Sequence, residues 1–458
     1  MAAKSWTPKF KSKDGPIYLA IADSIAADIA SGKLSPGTRL PTQRRLAEDL
    51  DIDFTTVNRG YSEAQGRGLI EGRVGQGTFV KARQHQTSPL QPSGLVDMSM
   101  NLPPRFQNHS LTRRMWEAVS NLEDRGLDLL MRYQEPGGIM EDRMIATSWL
   151  AKRVPSVTPD RVLVAAGAQG ALLAVLSVLA GPGDTVCVEH LTYPGFRSIA
   201  SHLRLKLAPL AMDEHGLLPE AFERACQTMK PKAMYCMPTL HNPTTRTMPL
   251  VRRRELLDLA RAHEVPVIED DAYGSLASDT PAPLAALAPD IVYHVASLSK
   301  CLSPALRVAY VAVPEERALR VANAMRASAS IVSPLASATA SQWIGNGLAD
   351  LVRDEIVQES AIRLRVFNRT LPDIAETSSR GFHAWLSLPE PWPRGELVSR
   401  LRSVGVGVVV SDAFAVADAP EAIRIGLGAP ATVEELDRSL VILADILSQL
   451  PAISTMVV

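Results

Sequence analysis

Lys300 stands in Ser297-Leu-Ser-Lys-Cys-Leu-Ser-Pro-Ala-Leu-Arg307, between two apolar runs, Ile291–Ala296 and Val308–Val313. A lysine flanked by small residues, with an arginine close behind it, suits a Schiff base to an aldehyde. The amine must be partly desolvated to lose its proton, and a phosphorylated aldehyde needs donors beside it. Ser297, Ser299 and Arg307 are such donors. A lone lysine at a strand end is ordinarily a surface residue, but three other segments argue against that here. Val267-Ile-Glu-Asp-Asp-Ala-Tyr273 sets acids at the carboxyl end of a run that reads as a buried parallel strand. Ligands sit at such ends in open α/β sheets. Met234–Pro243 is another apolar run, closing on His241-Asn242-Pro243, and Asn242 can donate to a phenolate oxygen. Arg161–Ala165 reads as a strand, Gly167-Ala168-Gln169-Gly170 as a turn and Ala171–Leu179 as a helix. A glycine turn opening a helix offers backbone N–H groups to a phosphate. A carboxylate that can face a protonated pyridine nitrogen completes a pocket suited to pyridoxal phosphate.

From about residue 97 to the end, the chain resembles the fold-type I pyridoxal phosphate enzymes of the aspartate aminotransferase superfamily. The matching positions fall in the family's order. They are Tyr133 with the Pro136-Gly-Gly turn, the 167–170 turn, Tyr193 before Pro194, Asn242, Asp270, Tyr273, Lys300, Arg307, and Arg424 in Ile423-Arg-Ile-Gly-Leu-Gly. The resemblance implies that Lys300 carries pyridoxal 5'-phosphate as a Schiff base. It gives the pyridine nitrogen to Asp270, three residues before Tyr273, with Asp271 as the alternative. Asn242 and Tyr273 would flank the phenolic oxygen, and Tyr193 would stack on the ring or else be a turn aromatic before proline. Arg307, Ser297, Ser299 and the Ala168 and Gln169 amides would hold the phosphate. Tyr133 would reach the phosphate of a partner subunit, because family sites are built at a dimer interface. Arg424 would bind an α-carboxylate bidentately, its alternative being a structural ion pair.

The 458 residues allow two or three domains, and 46% hydrophobic composition is ample for a core. A net charge of −1 predicts no polyanion partner by itself. Its distribution is more telling: residues 1–81 hold 12 Lys+Arg against 9 Asp+Glu, a balance of +3, which leaves −4 on the remainder. A basic head on an acidic body points toward nucleic acid. Cys187, Cys226, Cys236 and Cys301 form no Cys-x-x-Cys pair, and no histidines cluster at metal-ligand spacing. Neither a disulfide framework nor a metal is expected, and Cys301 reads as a small core residue rather than a redox switch. The N-terminus lacks an apolar signal region, and Ala171–Ala180 is too short to span a bilayer. A cytoplasmic protein without a membrane partner is the expectation.

Ile17, Ile21, Ile25 and Ile29 recur every four residues and give one helical stripe, ended by Ser31–Gly37. A second helix runs from about Thr42, its cap, to Leu50, with Leu46 and Leu50 inward. Asp51-Ile-Asp53 is a tight turn, and a third helix follows from Phe54 to about Gln65. On it Val57, Tyr61 and Ala64 share one face, with Thr55, Arg59 and Ser62 opposite. Two β-rich pieces within Gly68–Val80 make a two-stranded wing. The arrangement is that of a winged helix-turn-helix. It resembles the GntR family of regulators through Gly32–Pro41, Arg45-Leu-Ala, Thr56-Val, Gly68-Leu-Ile and Gly75-Gln-Gly-Thr-Phe-Val80. That resemblance implies Arg39, Arg44 and Arg73 on phosphates of a double-stranded DNA operator, and Thr55 and Arg59 at base edges.

The expected class is α/β with three stretches: a winged helix-turn-helix at 1–81, a polar, proline-bearing linker at 82–96 and an aminotransferase-like body at 97–458. The body divides into a large part at about 140–325, with a mostly parallel sheet, and a small α+β part at about 355–458. In the small part Ile362–Asn368 reads as helix, Phe382–Leu388, Val404–Val410 and Ala422–Leu427 as strands, and Val433–Leu450 as a closing helix. Head, linker and body together resemble the MocR-type (GabR-like) transcription regulators. The implied protein is a homodimer that binds pyridoxal phosphate, DNA and an amino-acid-like or vitamer effector. Two alternatives stand beside it. One is an active aminotransferase carrying a DNA-binding head, toward which His241-Asn-Pro leans. The other is a direct pyridoxal phosphate sensor controlling vitamin B6 metabolism.

Overall fold

In the computed structural model the described residues are 6–8, 16–35, 37–67, 69–73, 77–80, 94–126, 128–277, 279–328, 331–372, 375–377, 380–449 and 451. They fall into two units divided between Gln91 and Pro92. The expected linker at 82–96 lies outside them except for its last three residues.

The first unit begins with the helix Ile17–Ala30, whose isoleucine stripe buries Ile21 and Ile25 completely. Thr42 caps the helix Gln43–Leu50 by accepting from the Arg45 N–H. Asp51 closes it with φ 51°, and Asp53 caps the helix Phe54–Gly66 by accepting from the Thr55 N–H. Asp and Asn tolerate that left-handed turn better than most residues, so two helices can be joined within three residues. Val57, Tyr61 and Ala64 face inward onto Ile21, Ile25, Leu40 and Leu46. The wing is Ile70–Arg73 paired antiparallel with Gly77–Val80, and Arg39 bridges to Phe79 beside it. The wing turn at 74–76 lies outside the described residues.

In the second unit, seven strands form the main sheet in the order 162–165, 309–312, 292–297, 267–270, 233–236, 185–189, 206–210. Only Ala309–Ala312 runs antiparallel to its neighbours; the other pairs are parallel. The central strands are buried along their whole length, as expected of a sheet with helices on both faces. A second sheet of four antiparallel strands, 375–377, 383–387, 422–426 and 409–410, packs with the helix Val433–Leu447 over its own core of Leu386, Ile423, Ile425, Leu436 and Leu440. Each fully buried Leu or Ile in these cores contributes roughly 1.5–3 kcal/mol of apolar transfer free energy.

Four expectations need correction. The helix after the glycine turn starts at Gly167, so the expected turn is its first helical turn. Ile362–Asn368 is the end of a 23-residue helix, Leu348–Thr370. Its apolar stripe is broken by Ser360 and Arg363, both buried, and Arg363 donates to the carbonyls of Leu427 and Pro430. The run Val404–Val410 is two short strands. Val406–Gly407 pairs with Val96–Asp97, and Val409–Val410 with the strand Ala422–Gly426, so one apolar run serves two sheets. The closing helix ends at Leu447 rather than Leu450. All four cysteines are buried and unpaired. Among the described residues no helix is long and apolar enough to cross a membrane.

Candidate functional site

The carboxyl ends of the central strands of the main sheet bring the expected residues of the body together. Lys300 lies in the turn after the strand Val292–Ser297, and its Nζ donates to the backbone carbonyl of Asn101. Burial pulls its pKa down to about 8; the Arg424 charge adds to that fall and Asp270 opposes it. Asp270 ends the strand Val267–Asp270. Its Oδ2 accepts from Tyr235 OH at 2.9 Å, while Oδ1 is buried with no donor among the described residues. Burial raises Asp270 to about 7; the Tyr235 bond lowers it, and the charges of Asp271 and Glu189 raise it. The neighbouring Asp271 is paired with Arg153 Nε at 3.1 Å. Both acids keep one buried oxygen without a donor among the described residues, but Asp271 is tied to Arg153, and it is the Asp270 charge that acts on Lys300.

Asn242 sits in the loop 238–248, which Arg253 fastens from beneath. The fully buried Arg253 donates to the carbonyls of Pro238 and Met248 and to Thr239 Oγ1. Asn242 Oδ1 accepts from Arg424 Nη1 at 3.2 Å, which leaves its amide hydrogens available. Tyr273 OH accepts from Asn101 Nδ2 at 2.7 Å, which leaves the phenol hydrogen to donate. Burial, opposed by Arg424, holds the Tyr273 phenol well above its usual pKa, so it stays protonated. His383, its ring 5.4 Å from that of Tyr273, is pushed down to about 3, first by burial and then by Arg424. A neutral imidazole lies there, adding no charge.

At the other end of the cleft, no side chain caps the helix Gly167–Leu179, so the amides of its first turn, Ala168 and Gln169 among them, have no capping partner. A Cβ on Gly167, whose φ is +74°, would stand 3.2 Å from Arg307 Nη2. Glycine is needed there both for the backbone angle and for the approach of that guanidinium. The Gln169 side chain also meets Tyr193 OH at 3.3 Å. Ser297 Oγ accepts from the Ser299 N–H at 3.2 Å, which shapes the turn before Lys300. Tyr133 is apart from this cluster, at 95% exposure. The Pro136-Gly-Gly turn docks on the sheet edge, the Gly137 carbonyl accepting from Val164 N–H.

Arg424, 6% exposed, projects from the strand Ala422–Gly426, paired opposite Trp385. Besides Asn242 it donates through Nη2 to the Ser99 carbonyl, lies over the Phe414 ring at 5.2 Å, and keeps a buried Nε without a partner among the described residues. Ser99, Asn101 and Tyr235 were not singled out from the sequence. The first two act through the loop 97–102, whose carbonyls carry no residue-type signal, and Tyr235 is hidden in an apolar run.

On the head, Arg39, Arg44 and Arg59 are exposed and have no carboxylate partner among the described residues. Arg45 and Arg67, by contrast, are paired with Asp49 and with Asp23 and Glu63. The Arg59 guanidinium lies 4.4 Å from the Tyr18 ring centroid. The Thr55 hydroxyl turns back onto Asp53, the cap of its own helix. Arg73 is in the wing strand, but its side chain lies outside the described residues.

The family model "Aminotransferase class I and II" matches residues 93–443, and "Bacterial regulatory proteins, gntR family" matches residues 17–80. The HTH-type transcriptional regulator YdeF of Bacillus subtilis is 31% identical over 453 residues, covering 97% of each chain. The HTH-type transcriptional regulator TauR of Rhodobacter capsulatus is 26% identical over 434 residues, covering 86% of this chain and 88% of that one. A kynurenine aminotransferase of Pyrococcus horikoshii shares the body's fold, with a TM-score of 0.71 at 21% identity, over 78% of this chain and 91% of that one.

Proposed function

Because the chain belongs to the pyridoxal phosphate-dependent aminotransferase class I and II family, among the HTH-type regulators that join it to a GntR head, we propose that its body senses an amino compound and its head delivers the response at an operator. The residues fit the cofactor. Asp270 Oδ1 lacks the donor that a protonated ring nitrogen provides, and an uncapped helix start faces Arg307. When bound, pyridoxal phosphate supplies an aldehyde for an amine to condense with and an electron-poor ring. Lys300, partly deprotonated near neutral pH, would hold it. Asn242 and Tyr273 would donate to its phenolic oxygen, and Tyr193 would cover its face. Arg307, Ser297, Ser299 and the Ala168 and Gln169 amides would take its phosphate. The exposed Tyr133 is left for the partner subunit of a homodimer.

One observation carries the sensor reading. The two cations that would meet cofactor and effector both hold the same stretch of backbone: Lys300 the Asn101 carbonyl, Arg424 the Ser99 carbonyl. This strap belongs to the first described segment after the head. The Met98 N–H donates to the Gly407 carbonyl, and the Met98 carbonyl accepts from Gly426 N–H. A carboxylate is a stronger acceptor for a guanidinium than a backbone carbonyl. An effector carboxylate at Arg424 therefore competes with Ser99, while Lys300 gives up Asn101 when it holds the cofactor and can take it back when an effector amine displaces it. Each bond is a charge-assisted one of roughly 1.5–3 kcal/mol. Exchanging both is of the size that allosteric coupling requires, about 1–3 kcal/mol. A sensor needs only this binding step, whereas transamination also requires Lys300 to move a proton and product to leave.

The test is an anisotropy titration of operator DNA with candidate amines, run beside a keto-acid release assay. A cognate carboxylate-bearing amine is expected to change operator affinity with slow or no turnover. Arg424→Ala should abolish that response while leaving cofactor binding and basal DNA binding intact. Rapid turnover without any effect on DNA affinity would establish the enzyme reading instead. A response to pyridoxal phosphate alone, indifferent to Arg424, would establish the cofactor-sensor reading.

A further inference from the structure

Phe54 is the first residue of the helix Phe54–Gly66, and 43% of its surface is exposed. An aromatic ring in water at the start of a helix forgoes apolar burial unless something covers it. The head's core side chains close over Val57 and Tyr61, but Phe54 stays outside that core, beside the Asp53 cap. Its surroundings are polar, cationic toward the wing and acidic toward the turn between the helices. It lines one shallow hollow with Arg39, Gln43, Arg44 and the wing residues Gly77 and Thr78, and a second with Arg44, Glu48, Asp51 and Asp53. Arg39 and Arg44 have no carboxylate partner among the described residues. An apolar plate rimmed by spare arginines matches a surface that is anionic at its edges and presents a methyl group between them. The major groove of DNA at a thymine does so: phosphates border the groove, and the C5 methyl projects into it. Helix-turn-helix proteins place the N-terminal residues of the recognition helix there. Thr55, the neighbouring candidate, has its hydroxyl turned to Asp53.

We infer that Phe54 reads a thymine by apolar contact with its C5 methyl group, while Arg39 and Arg44 hold the flanking phosphates. This rests on the reading of the head as an operator-binding module. The test uses the full-length protein and a duplex that it selects from a random-sequence pool. Each thymine is then replaced singly by deoxyuridine, which deletes only the methyl, and affinity is measured by anisotropy at fixed salt. Wild-type protein should lose about fourfold at one thymine of each half-site, the increment for one methyl-sized burial. Phe54→Ala should bind the thymine and deoxyuridine duplexes equally, and Phe54→Leu should retain the discrimination. Wild-type indifference to deoxyuridine at every position, or undiminished discrimination in Phe54→Ala, overturns the inference while leaving operator binding intact. Failure to select any duplex overturns the operator reading along with it.

Discussion

Head and body both rely on lysine and arginine, and they deploy them in opposite ways. Arg39, Arg44 and Arg59 reach water without carboxylate partners among the described residues, whereas Arg424 is 6% exposed and burial depresses its pKa and that of Lys300. An exposed cation costs the fold little and is screened over about 8–10 Å at physiological salt. It suits a long polyanion, where many weak contacts add and sequence is read by a few groups. A buried cation costs stability and is useful only where its hydrogen bonds are directed. The body directs each of its buried cations at backbone carbonyls: Arg253 and Arg363 fasten a loop and a helix, and Lys300 and Arg424 hold the strap at Asn101 and Ser99. The difference separates the two tasks: the head's affinity should follow salt, and the body's should follow protonation.

The sharpest break of this comparison is Lys300→Ala. It should remove the borohydride-reducible cofactor adduct and its visible absorbance completely while the far-ultraviolet circular dichroism stays unchanged. A persisting adduct would place the attachment elsewhere. Next in size is the pH dependence of the cofactor-free body. The folded pKa of Asp270 is raised to about 7, above the unfolded 3.8, so the folded state binds the extra proton. Its contribution to stability is whole below about 3.8 and is lost as pH climbs through about 7. Denaturant unfolding should find Asp270→Asn more stable than the wild type above that range, by roughly 4 kcal/mol, and level with it at low pH. A constant difference across pH would contradict the raised pKa.

In the head the expected effects are smaller and depend on salt. Arg59→Ala should weaken operator binding by roughly 1–3 kcal/mol and blur base preference if Arg59 reaches a base edge. Arg44→Ala should weaken binding to all sequences alike and reduce the salt slope by about one. Affinity measured over a salt series on specific and scrambled duplexes distinguishes them. Equal loss of specificity from both would mean that reading and holding are not divided in this way.

Periodicity and motif order in the sequence alone pointed to the winged helix and the mostly parallel sheet, and family resemblance to Asn242, Asp270, Lys300, Arg307 and Arg424 as candidates. Each sits beside or within an apolar run, and that signal is local in the chain. Tertiary structure decided what those residues touch. Asp270 was separated from Asp271 by Arg153 and Tyr235, groups that lie far from them in sequence. The strap bonds join positions 199 and 325 residues apart and end on backbone carbonyls, which every residue possesses. No pattern of residue types can announce them. The helix Leu348–Thr370 was legible only at its end, because Ser360 interrupts its apolar stripe, and only the packed structure supplies the carbonyls that satisfy the buried Arg363. Side-chain type and spacing are inherited along the chain, whereas hydrogen-bond partners and desolvation arise only when distant segments are packed together.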